Sequence, residues 1–80
     1  MTVGNVIRER IIKLCQEHNI SINKLSSISG VTQSTVNNIV SGRNNSTTVS
    51  TVKKLCDGLG ITLSEFFSTP EFDNLEQEIK

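Results

Sequence analysis

Apolar residues recur along this chain at helical rather than alternating spacing, which favours an all-α fold. Ile7, Ile11, Leu14 and Cys15 stand at i, i+4, i+7 and i+8 and form one stripe of a first helix, expected from about Val3 to His18. Arg8, Glu9, Lys13 and Glu17 occupy the rest of its surface. Asn19 ends it, because asparagine tolerates the left-handed conformation. Ser21 has the side chain of an N-cap for a second helix, Ile22 to Ser29, and Gly30 follows where a left-handed residue is wanted. Thr32 then caps a third helix, Gln33 to about Ser41, with Val36, Ile39 and Val40 inward and Gly42 closing it. The polar stretch Arg43 to Thr48 is a loop.

A fourth helix is expected from near Val49 to near Gly58, with Val49, Val52, Leu55 and Cys56 inward. Leu59 and Ile61 continue the core past a break at Gly58 and Gly60. Thr62-Leu63-Ser64-Glu65 fits a capping box that opens a short fifth helix, Leu63 to Phe67 or Ser68. Phe66 and Phe67 read as core anchors, one of them facing inward. The organisation is one five-helix domain, residues 1–69, with an acidic tail, residues 70–80. Phe72, Leu75 and Ile79 lie at i, i+3 and i+7 in that tail. They fit a short sixth helix, docked or used in dimerisation, and fit a frayed end equally well.

The net charge is zero, but its distribution is uneven. Residues 1–64 carry seven Lys or Arg against three acids, and residues 65–80 carry one Lys against five. A mildly basic body suits a modest phosphate-binding contribution. The two cysteines, Cys15 and Cys56, are in neither a CxxC pair nor metal-ligand spacing. A disulfide is chemically allowed, and two buried thiols in a reducing cytosol is the preferred expectation. No apolar run is long enough for a membrane span, so a cytoplasmic protein is expected. His18 is the sole histidine. No nucleophile set, phosphate-cradling glycine loop or metal constellation is present, so neither an enzyme nor a cofactor is expected.

The segment Ile22 to Ser41 places two short helices around a turn at Gly30. On the second of them, Ser34, Asn37, Asn38 and Ser41 share an arc of about 100° opposite Val36, Ile39 and Val40. Gln33 sits in the first turn. A solvated polar face would explain these residues by itself, since most surface helices have one. Residues 7–67, however, resemble the lambda-repressor-like, Cro-type (XRE) helix-turn-helix family. Leu25, Gly30, Val31, Val36 and Ile39 stand at its core and turn positions. Gly42, Val49, Leu55, Leu59, Gly60 and Ile61 continue the pattern.

The resemblance implies a transcriptional regulator of the repressor type that binds double-stranded DNA as a homodimer, with residues 22–41 as the helix-turn-helix. It implies that Gln33, Ser34, Asn37 and Asn38 read base edges. Gln33 matches a position where relatives often carry a base-reading glutamine, and both Gln and Asn can bond bidentately to adenine. Ser21, Asn23, Thr32, Thr35, Arg43 and Asn44 are the candidates for backbone contacts, helped by free amides at helix N-termini. A competing expectation is an antitoxin-like interaction module with weak DNA binding, whose protein partner docks on the tail.

Three departures from the family pattern matter. Ile22 stands where relatives often carry a phosphate-contacting glutamine. Ser26 replaces a usual alanine, with its hydroxyl expected to bond a carbonyl one turn back. Cys15 and Val40 replace an arginine–glutamate pair, and losing both charges together avoids the cost of about 3–5 kcal/mol for one left buried alone. Both are therefore expected to be buried near each other.

Overall fold

The computed structural model describes residues 2–43, 47–77 and 79. Among them are six helices and no strand: α1 Val3–Glu17, α2 Ile22–Ser29, α3 Gln33–Val40, α4 Val49–Leu59, α5 Leu63–Phe66 and α6 Pro70–Asp73. Hydroxyl side chains start five of them. Thr2, Ser21, Thr32, Thr48 and Thr62 each accept a hydrogen bond from the amide three residues on, at 3.0–3.3 Å. At α5 the bond is reciprocated, since the Thr62 amide donates to Glu65 Oε1 at 3.0 Å. This is the expected capping box, and each such cap contributes about 1 kcal/mol. α1 ends at its C-cap His18 with Asn19 left-handed at φ 55°, and Gly30 caps α2 at φ 70°.

One core unites the helices. Ile7, Ile11, Leu14, Cys15, Leu25, Val36, Ile39, Val52, Leu55, Cys56 and Phe66 are all buried in it. α2 packs most extensively on α4, and also on α3, while α1 packs on α3. Cys15 is buried in this cluster and the half-buried Val40 packs against it, so neither points freely into solvent. Both cysteines are free thiols.

Phe66 is fully buried. Phe67 meets it edge to face at a centroid distance of 4.9 Å, and Phe72 meets Phe67 at 4.8 Å. The Arg10 guanidinium lies 5.9 Å from the Phe66 ring centroid. Its Nε and Nη2 donate to the carbonyls of Phe66 and Glu65 at 2.8 and 3.0 Å. Arg10 thus ties α1 to the last carbonyls of α5, that of Glu65 also accepting from the Ser68 hydroxyl at 2.9 Å.

Several expectations are corrected. Val49 is not inward: its side chain is 65% exposed. It is the first residue of α4, and the buried residues of that helix begin at Val52. Gly58 is no break either, because α4 continues through it to Leu59 and ends at Gly60, left-handed at φ 73°. A Cβ on Gly58 would sit 2.9 Å from Ser29 Cα, so this glycine lets α2 and α4 touch backbone to backbone. The Ser26 hydroxyl does not bond one turn back, but donates forward across the turn to the Val31 carbonyl. The Phe72–Leu75–Ile79 stripe is not one helical face. α6 is a single turn that packs on α1, and the chain beyond Asn74 is not helical among the described residues.

Candidate nucleic-acid interface

The short turn between α2 and α3 aims the third helix outward. Gly30 reverses the chain, Val31 drops into the core, and Thr32 opens α3 with its hydroxyl toward the Thr35 amide at 3.2 Å. Val36 and Ile39 are buried below. That leaves Gln33, Ser34 and Asn37 exposed and Asn38 half-buried on the opposite side. Ser41 continues the same face as the C-cap, its hydroxyl donating to the Asn38 carbonyl at 3.3 Å. Within the described residues, the side chains of Gln33, Ser34, Asn37 and Asn38 form no hydrogen bond with the rest of the chain. Their amides and hydroxyl are uncommitted polar groups on the outer face of α3.

Hydroxyls at the start of α3 form a small relay. The Thr32 hydroxyl accepts from the Thr35 amide and donates its own proton to Thr35 Oγ1 at 2.8 Å. Thr35 Oγ1 accepts that proton, which leaves its own proton free of this pair. The same T-x-x-T arrangement recurs at α4, where the Thr48 and Thr51 hydroxyls lie 3.0 Å apart. This repeat was legible in the spacing of the sequence, though its relay was not.

Of the other candidates, Ser21 caps α2 and is exposed, as is Asn23 in the first turn. Arg43 is exposed just beyond Gly42, which is left-handed at φ 81°. Asn44 lies outside the described residues. Lys53 is hydrogen-bonded to Asp57 one turn on, and so is partly neutralised. Ile22 is half-buried against the core, so its side chain serves packing.

The described surface has shallow depressions beside α1 and α6, one of about 140 Å³ lined by Val6, Glu9, Arg10, Lys13, Thr69 and Glu71. The exposed donors and acceptors of α3 are of the kind that can meet base edges in a groove. No helix among the described residues is long and apolar enough to cross a membrane.

Comparison with known proteins agrees with this geometry. The model of the Cro/C1-type helix-turn-helix DNA-binding domain matches residues 10–71. A solved structure described as "Crystal structure of the prophage Lp1 protein 11" is 33% identical. The match spans 94% of this chain and 99% of that one, with a TM-score of 0.82. No curated protein matches. With the family model covering α2 to α5 and the turn between α2 and α3, the chain belongs to the Cro/C1-type helix-turn-helix DNA-binding domain family.

Proposed function

We propose that this protein is a sequence-specific transcriptional regulator that lays α3 in the major groove. Two copies would bind a two-fold operator with their recognition helices one turn of DNA apart, about 34 Å. The observation that carries this is the uncommitted amide and hydroxyl face of α3. Gln33 and Ser34, in its first turn, are placed to reach base edges, with Asn37 and Asn38 one turn on. Ser21, Asn23, Thr35, Arg43 and Asn44 would meet the sugar–phosphate backbone, with Thr32 orienting Thr35. No arginine lies in α3, so adenine-containing half-sites are the expected preference.

The test is binding of the full chain to operator-length duplexes at low salt, followed by Gln33→Ala. That variant should lose about 1–3 kcal/mol of discrimination at one base position and keep its salt dependence. Unchanged specificity would remove Gln33 from the reading set. A protein-interaction module is the second reading, favoured by Ile79, which is 82% exposed in the acidic tail. It would prevail if no duplex binds at low salt.

A further inference from the structure

The geometry points to Ser26 as a positioning residue that sets the pose of the recognition helix through the turn. This inference rests on the proposed DNA reading by α3. Among the described residues, Ser26 is the one buried polar residue, 8% exposed. A helical serine ordinarily satisfies itself on the carbonyl one turn back. Ser29 on the same helix does so, donating to the Leu25 carbonyl at 2.6 Å. Ser26 instead donates forward over Gly30 to the Val31 carbonyl.

That carbonyl belongs to the peptide unit joining Val31 to Thr32, the N-cap of α3. Holding its oxygen fixes the peptide plane from which α3 departs. The donor itself is firmly anchored. Three residues after Ser26, the backbone of Ser29 meets Gly58 of α4 so closely that a Cβ there would lie 2.9 Å from Ser29 Cα. α4 therefore holds the end of α2, and Ser26 carries that reference across the turn.

The lever is short but sensitive. α3 has 8 residues and is about 12 Å long. A swing of about 10° at its start moves its far end by about 2 Å, beyond the tolerance of a bidentate contact to a base. Phosphate contacts made by flexible or peripheral groups would tolerate the same swing. Loss of the Ser26 hydroxyl should therefore reduce selectivity more than total DNA binding.

The experiment compares wild type with Ser26→Ala. Alanine removes only the oxygen and is a better helix former. The wild-type chain first selects a preferred duplex from a randomised library about two helical turns long. Affinities for that duplex and for a random-sequence duplex are then measured alongside thermal melts. We expect the selected duplex to bind about fivefold more weakly and the random duplex to change by less than about twofold. Ser26→Cys, with only a weak donor, should lose selectivity by a smaller factor, and it carries the test if the alanine variant does not fold. Equal weakening of both duplexes would reduce Ser26 to a stability role and overturn the inference. So would unchanged selectivity in either variant. A wild type that binds no duplex would instead refute the DNA reading, and the inference with it.

Discussion

Gly58→Ala offers a test of the packing that holds the helix-turn-helix in place. The added Cβ would lie 2.9 Å from Ser29 Cα and 3.0 Å from both Ser29 Cβ and Ser29 N. Comfortable carbon–carbon contact begins near 3.5 Å, so α2 and α4 must part by about half an ångström or more. The obstacle is mostly main chain, so rotamer changes cannot relieve it. Separation loosens the layer formed by Leu25, Leu55, Cys56 and Leu59, all buried. Overpacking of this kind costs about 1–3 kcal/mol, whereas alanine regains about 1 kcal/mol of helix propensity over glycine. The net expectation is a loss of up to about 2 kcal/mol, or a melting point lower by up to roughly 8–16 °C for a domain of this size. Urea and thermal unfolding of the two proteins measure it. Ser29→Gly removes the Cβ clash and leaves those with Cα and N, so combining the two changes should rescue only part of the loss. A Gly58→Ala variant more stable than wild type by the full propensity gain would refute the close approach.

Arg10→Ala and Arg10→Lys should each lower stability by about 1–2 kcal/mol in denaturant melts, because lysine cannot reproduce the planar fork that reaches two carbonyls. A lysine variant as stable as wild type would contradict the assigned role. Burial pushes the Cys15 thiol up, and burial followed by the nearby Asp57 carboxylate pushes Cys56 up. The folded chain therefore keeps these protons to higher pH than the unfolded chain. The resulting stability is fully present below the ordinary thiol value of 9.0 and is lost as pH rises past it. Unfolding midpoints between about pH 8 and pH 10 should fall more for wild type than for a Cys15→Ala/Cys56→Ala double variant. Parallel curves would count against the buried thiols as the cause.

What the sequence made legible was local. An N-cap needs one hydroxyl and the amide three residues on, so Ser21, Thr32 and Thr62 could be assigned without knowing the fold. Asn19, Gly30 and Gly42 were readable for the same reason, as the few residue types that accept a left-handed backbone. What escaped depends on distant neighbours. Nothing near Arg10 announces a helix end some fifty residues later. Nothing near Gly58 announces the backbone of Ser29, so its glycine read as a break. The tail carries the expected short sixth helix, but only as one turn. Pro70 at the first position and the early acids Glu71 and Asp73 favour starting a helix. A single turn gains too few hydrogen bonds to propagate, and Phe72 is drawn against Phe66 and Phe67.

The residues proposed to face DNA posed a harder problem, because a polar helix face is ordinary and the helix-turn-helix is rich in hydroxyls and amides throughout. Their allocation narrows the candidates, although the exposed Asn23 and Ser27 of α2 are uncommitted as well. Ser21 and Thr32 are committed to caps, Ser29 to the Leu25 carbonyl and Ser26 to the Val31 carbonyl. Each holds part of the scaffold in place. Gln33, Ser34, Asn37 and Asn38 are left with no such duty, and they lie together on the face of α3 opposite Val36 and Ile39. The sequence allowed the cap half of this subtraction. It could not supply the rest, since whether Ser26 bonds backward or forward depends on where the turn carries Val31. Which polar groups the fold leaves unspent is thus a property that no single residue type declares.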